Sequence, residues 1–264
     1  MRSASEPGVA AERPGHVLVE DLAMAHGGRV LQEGLSFTIR RGDVFIVMGG
    51  SGSGKSTLLR HLVGLQAPVR GRVLYGGESF WEASPEVQAA LQRRFGVMYQ
   101  QGALWTSMTL LENVALPLGT YTPLTPGAIR DLAAFKLALV GLAGFEQFYP
   151  SEISGGMRKR AAIARAMALD PEVLFLDEPS AGLDPISSRR LDDLILELRQ
   201  SLGMTIVVVT HELASIFAVG DNSVFLDAAS RTMIAAGHPR SLLRHAENPK
   251  VRDFLTRGEE GRVP

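Results

Sequence analysis

The chain has 264 residues, 45% of them hydrophobic, a net charge of −1 and no cysteine. That is enough apolar material for one or two full cores. A near-neutral balance excludes nucleic-acid binding through bulk charge, and the lack of cysteine excludes disulfides, thiolate metal sites and a cysteine nucleophile.

Taken in order, residues 1–15 (MRSASEPGVAAERPG) lack the apolar segment of a secretory signal and read as a disordered tail. HVLVEDLAM and LSFTIRRGD alternate or cluster apolar and β-branched residues, which predicts antiparallel strands. DVFIV is a short continuous apolar run, the pattern of a strand covered on both faces. STLLRHLVGL then places Leu58, Leu62 and Leu65 at helical spacing. GRVLYGG reads as a strand and turn, and RRFGVMYQQ as another short strand. From about Gln101 to Leu169 the texture is helical, with Pro126 placed where a first helical turn tolerates it.

VLFLDEP and TIVVVTHE are apolar strands separated by an amphipathic helix ending at Gly203, which predicts a parallel βαβ unit. NSVFLDAASRTMIAAGHP reads as a hairpin, and the last residues as a short helix that frays. The longest purely apolar run, Leu137 to Phe145, is far short of the ~20 residues that span a bilayer. Together these features predict a soluble, intracellular α/β protein.

The stretch between DVFIV and the first helix carries the chemistry. Gly49, Gly50, Ser51, Gly52, Ser53, Gly54, Lys55 and Ser56 match G-x-x-x-x-G-K-[ST], followed by Thr57, in the strand-to-helix context that this motif requires. Glycines let consecutive backbone N–H groups curl into an anion cradle, and the helix start adds its unpaired amides and positive dipole end. Lys55 is expected to reach the β- and γ-phosphates of a nucleotide, and the Ser56 hydroxyl to bind Mg²⁺. VLFLDEP carries Asp177 to the carboxyl end of a strand, where ligands bind in open α/β sheets. Asp177 is expected to hold Mg²⁺, and Glu178 to orient or deprotonate an attacking water. Ser154, Gly155 and Gly156 form a second small-residue cradle at a helix start, more than one nucleotide needs in one subunit.

With that second cradle the chain resembles the ATP-binding-cassette (ABC) ATPases, over about His16 to Gly237. In that family the signature LSGGQ contacts the γ-phosphate held by the opposite subunit, so the resemblance implies that Ser154, Gly155 and Gly156 act in trans. It also implies a Q-loop at Gln100, which links Mg²⁺ to the transport partner, a D-loop at Asp184 and a switch histidine at His211. The signature here departs from the pattern, with Met157 for glutamine and Ile153 for leucine. The adenine-stacking aromatic of the family aligns with His26. An imidazole offers less π surface than tyrosine, so stacking and a plain turn residue both remain open there.

SGGM with AAIARAMALDPEVLFLDEP, YQQGALWTSMTLLENVALPL and NPKVRDFL is similar to the ATPases of Mce-associated lipid transporters of the Mla type. The resemblance implies a P-loop NTPase (RecA-like) core with an N-terminal antiparallel β subdomain and an inserted α-helical subdomain. The expected divisions are a tail at 1–15, an ATPase domain at 16–240 with the helical insertion at about 101–169, and a C-terminal helix and tail at 241–264. Also implied are ATP and Mg²⁺ as cofactors and a homodimer of ATPase subunits on the cytoplasmic face of a bacterial inner membrane. Its implied partners are an integral-membrane permease of the MlaE type, a periplasmic Mce-domain protein and a small STAS-domain protein. The alternative is the ATPase subunit of an importer for amino acids or another small solute. Leu104, Trp105 and Met108, directly after the Q-loop, are expected to line the groove that receives the permease. A Trp105 packed inside the helical block is the competing reading.

Overall fold

The structure, a computed structural model, describes residues 15–256. Gly15 therefore belongs to the first strand, and residues 1–14 of the expected tail lie outside the described part. Strands β1 (Gly15–His26) and β2 (Arg29–Arg40) pair antiparallel, as their alternation predicts. The other edge of β1 takes β4 (Arg70–Tyr75), which pairs in turn with β5 (Glu78–Ser79). This four-stranded sheet covers one side of the molecule.

The second sheet is centred on β3 (Val44–Gly49) and holds β6 (Phe95–Met98), β7 (Val173–Asp177), β8 (Thr205–Val209), β9 (Asn222–Asp227) and β10 (Thr232–Gly237). Its order is β10-β9-β3-β8-β7-β6, parallel except for β10 at the edge. Every residue of β3, β7 and β8 is buried, which explains their unbroken apolar runs. The period of two divides them between two cores. Val44, Ile46, Met48, Leu174, Leu176, Ile206 and Val208 face the larger helical core. Phe45, Val47, Val173, Phe175, Val207 and Val209 face the antiparallel sheet and helix α1 (Lys55–Leu62).

Three helices, α3 (Leu110–Tyr121), α4 (Pro126–Leu139) and α5 (Gly155–Ala166), lie between the neighbouring strands β6 and β7. Thr125 caps α4 and Pro126 opens it, as the sequence suggests. The capping box of Thr109 and Glu112 fixes the start of α3. Helix α6 (Pro185–Leu202) joins β7 to β8 and stops at Gly203, completing the expected βαβ unit.

Several expectations need correction. Helix α1 ends at Leu62, and Gly64 turns the chain at φ +71°, where an added Cβ would meet the Phe80 ring at 2.2 Å. Leu65 therefore leaves the helical stripe and is exposed. Helix α2 (Pro85–Arg93), capped by Ser84, and helices α7 (Leu213–Val219) and α8 (Pro239–His245) are additional. The last helix, α9 (Pro249–Thr256), is anchored, and residues 257–264 of the expected fraying end lie outside the described part. Val251 and Leu255 are fully buried in the helical core, and Phe254 packs edge-on to Phe225 at 5.1 Å.

A polar knot pins the start of β1 to the main sheet. Arg94 grips Glu172 with two hydrogen bonds of 2.6 and 2.9 Å, and His16 Nε2 donates to the same carboxylate at 3.1 Å. The Arg94 guanidinium, helped by His16, lowers the Glu172 carboxyl to about 2.

Candidate functional site

Register brings the site together. Val47 of β3, Val209 of β8 and Asp177 of β7 are aligned across the parallel ladder. The glycine-rich turn, the Asp177-Glu178 pair and His211 thus emerge side by side at the carboxyl edge of the sheet. At Gly49 the backbone takes φ +149°, and an added Cβ would lie 2.3 Å from the Leu226 carbonyl, so only glycine fits. The turn runs directly into α1, with Gly54 as its N-cap. Lys55 Nζ folds back over the turn and donates to the Gly49 and Gly50 carbonyls at 2.9 and 3.0 Å. Burial lowers the Lys55 ammonium from its usual range, against the pull of Glu178 and Asp177.

Ser56 Oγ donates to Asp177 Oδ1 at 3.2 Å. Asp177 is buried, which raises its carboxyl above the ordinary value, while the Ser56 bond opposes that rise. Glu178 sits at φ +46°, a region that non-glycine residues rarely adopt. Its N–H donates to the Val209 carbonyl at 2.8 Å, and His211 Nδ1 lies 2.8 Å from Glu178 Oε1. The other carboxylate oxygen, Oε2, is buried with no protein partner, as are Ser53 Oγ and Ser180 Oγ in the adjoining loops. Buried acceptors of this kind call for a water or a ligand.

The remaining motif residues are spread further. Ser154 caps α5, its Oγ accepting from the Met157 N–H at 3.3 Å. Asp184 caps α6 through Ile186 N and Ser187 N, both at 3.0 Å, and the Ser187 hydroxyl leads the bonds that lower its carboxyl. An added Cβ on Gly156 would lie 3.3 Å from Ser187 Cβ, so the second cradle packs on the start of α6. Gln100 is exposed just after β6 and is held by its backbone carbonyl. Trp105 is 58% exposed, with its backbone clamped by Asn113, whereas Leu104 and Met108 are half-buried. That exposure runs against a Trp105 packed inside the helical block. His26 ends β1, and its side chain lies outside the described part.

Two supports were not legible as motifs. Lys159 of α5 donates to the carbonyls of Gln100 and of Glu178, the latter at 3.3 Å. Gln32, fully buried on β2, donates to the Ser53 carbonyl at 2.8 Å and to the Asp227 carbonyl at 3.0 Å, fastening the glycine-rich turn to β9. Neither has a local signal, since their partners lie 19 or more positions away in sequence.

A glycine-rich turn on a helix start, facing an Asp-Glu pair across a parallel sheet, defines the P-loop nucleotide-binding class. Residues 32–181 match the family model described as ABC transporter. The chain is 38% identical to the intermembrane phospholipid transport system ATP-binding protein MlaF of Escherichia coli, over 93% of this chain and 90% of that protein. It is 40% identical to the probable ribonucleotide transport ATP-binding protein mkl of Mycobacterium tuberculosis, over 90% of this chain but 65% of that protein. A solved ATP-binding cassette, dimeric in a post-hydrolysis state with ADP and Pi, superposes with a TM-score of 0.74 at 28% identity, over 83% of this chain and 97% of that one. The chain belongs to the ABC transporter family, as an ATP-binding cassette.

Proposed function

We propose that this chain is the ATP-hydrolysing subunit of an ABC transporter that moves phospholipid, working as a homodimer on the cytoplasmic face of a bacterial inner membrane. Glu178 carries the hydrolytic reading. One of its carboxylate oxygens is steered by His211, and the other is buried without a partner beside Asp177. In this reading Glu178 accepts the proton of the attacking water, and His211 holds the carboxylate and supports the γ-phosphate. Lys55 swings from the Gly49 and Gly50 carbonyls to the phosphates, and Ser51, Gly52, Ser53 and Gly54 line the cradle with Thr57 behind them. Gln100 reports the occupancy of the site to the permease, and Asp184 faces the partner subunit.

The residues present suit Mg²⁺. Ser56 Oγ and Asp177 Oδ1 are hard oxygen donors 3.2 Å apart, one of them a buried carboxylate that a cation would favour in its charged form. No cluster of three or more His, Asp or Glu placed to hold a metal occurs among the described residues, in keeping with an ion shared with substrate phosphates. When bound, Mg²⁺ neutralises charge developing on the transferred phosphoryl group.

The phospholipid reading is supported by MlaF, which this chain matches over nearly its whole length. An MlaE-type permease, a periplasmic Mce-domain protein and a small STAS-domain protein are the partners that this reading entails. No helix among the described residues is long and apolar enough to cross a membrane. The division into an ATPase domain with helices α3 to α5 as an inserted subdomain follows from the same reading.

The test is reconstitution of the chain with its permease in vesicles. Added phospholipid is expected to stimulate ATP turnover, and labelled phospholipid to move in an ATP-dependent way. Stimulation by ribonucleotides or amino acids instead would refute the lipid assignment while leaving the ATPase intact.

A further inference from the structure

Helix α5 does more than present the second cradle at its start. Five residues after Ser154, about 7–8 Å along the axis, Lys159 is buried and gives its ammonium to backbone carbonyls rather than to a carboxylate. The two carbonyls belong to different loops, Gln100 after β6 and Glu178 after β7. One turn and a half further on, Arg165 donates to the Ala103 carbonyl at 2.6 Å and the Gly102 carbonyl at 3.0 Å. Three of the four carbonyls from Gln100 to Ala103 are therefore held by this one helix.

Between these loops lies open space. Gln100, Gly155, Lys159 and Gly182 are among the residues lining a cavity of about 410 Å³. From the wall of that cavity the Lys159 ammonium donates to both loops. On its far side it holds the carbonyl of the residue whose backbone is forced to φ +46°. Residues held in such regions persist when their surroundings over-determine them. For Glu178 those surroundings are the Val209 carbonyl at its N–H and, at its C=O, the Ala181 N–H of the same turn at 3.2 Å together with Lys159, which alone of these brings in another element, α5.

We propose that Lys159 is a positioning residue for ATP hydrolysis, its ammonium tying the backbone of Gln100 to that of Glu178. A displacement of the Q-loop is thereby passed to the Glu178 carboxylate. This inference rests on the role proposed for Glu178. Burial lowers the Lys159 ammonium from its usual range, against the pull of Glu178 and Asp177.

The experiment compares kcat and KM for ATP in the full chain and its variants, with the competent fraction counted by titration with a fluorescent ATP analogue. Lys159→Met keeps the length and removes the donors. It is expected to lower kcat roughly ten- to a hundred-fold, the scale of a small misplacement of a reacting group, while KM moves less than about three-fold, the mark of an interaction realised in the transition state. Lys159→Arg, which offers two donors to two carbonyls, is expected to restore most of the turnover. Wild-type kcat per nucleotide-binding molecule in Lys159→Met, or an Arg variant as slow as the Met variant, would overturn the proposal. Should Lys159→Met not fold, Lys159→Gln keeps a single donor group and is expected to be slow, with wild-type kcat again overturning the proposal. Glu178→Gln run alongside separates the two layers. If it hydrolyses ATP at the wild-type rate, the role of Glu178 fails. If it is inactive while Lys159→Met is not, the inference about Lys159 alone fails.

Discussion

At the scale of single residues, two buried carboxylates show how the same surroundings serve chemistry in one case and cost stability in the other. Glu178 is over-determined by its neighbours, with its N–H on Val209, one carboxylate oxygen on His211 and the other left without a protein partner. Glu178→Gln preserves the shape but cannot take a proton. ATP turnover is expected to fall by roughly two orders of magnitude or more, with ATP affinity retained and an ATP-bound dimer accumulating. Turnover at the wild-type rate would remove the assignment. Asp192, on α6, is buried against α7 and receives one hydrogen bond, from Ser215 Oγ at 3.0 Å. Burial raises its carboxyl from 3.8 to about 6. The folded state thus holds its proton more tightly than the unfolded chain does. Stability is greatest below the unfolded value and declines as pH rises through the window from about 4 to about 6. The decline amounts to on the order of 2–3 kcal/mol. Asp192→Asn keeps an acceptor for Ser215 and needs no ionisation, so its melting temperature should exceed wild type at pH 8 and match it near pH 3.5. Equal melting temperatures at pH 8 would show that the buried carboxylate costs nothing.

At the scale of elements, the segment before α3 shows how an exposed side chain is presented by a rigid backbone. The buried Asn113 side chain accepts from the Trp105 N–H at 2.8 Å and donates to the carbonyls of Trp105, Met108 and Thr109. That clamp fixes the loop while the indole is left 58% exposed. A large exposed aromatic on a fixed loop suits an interface anchor. Trp105→Ala is expected to change the stability of the isolated subunit by less than about 0.5 kcal/mol, as surface changes do, while weakening assembly with the permease. Co-purification and urea melts separate the two effects, and a large stability loss with assembly intact would return Trp105 to the fold. Elements with strong periodicity were legible from sequence, since β3, β7 and β8 need continuous apolar runs and α6 needs an apolar stripe with a glycine stop. Helix α2 carried a readable start in Ser84-Pro85, but its apolar face is narrow and only Leu91 is buried. The stripe through Leu65 misled, because Gly64 breaks the helix before spacing can act. The motif residues were readable because they cluster within short loops. Lys159 and Gln32 were not, because what they do depends on carbonyls brought near by the fold rather than on neighbours in sequence.

At the scale of the whole molecule, the two helix starts proposed as phosphate cradles are built into different neighbourhoods. Helix α1 packs against β1, β3, β7 and β8, whereas α5 packs chiefly against α3, α4, α6 and β6. Each cradle is a helix start with unpaired amides and a positive dipole end. In the reading proposed above, one nucleotide uses both because the second comes from another copy, and the solved cassette with ADP and Pi that this fold resembles is a dimer. A mixed dimer separates the possibilities. Lys55→Ala removes the cation of the first cradle, and Ser154→Arg fills the second and discards its cap. If active sites are shared, pairing a Lys55→Ala chain with a Ser154→Arg chain places both defects in one composite site and leaves the other intact. With Glu178→Gln added to both chains to halt turnover, such a dimer is expected to occlude ATP at one site. Homodimers of either variant would occlude none. No occlusion in the mixed dimer, or occlusion by monomers that carry Glu178→Gln alone, would show that each chain binds nucleotide with its own two cradles. In that case the separation of α1 from α5 would have to close within a single subunit.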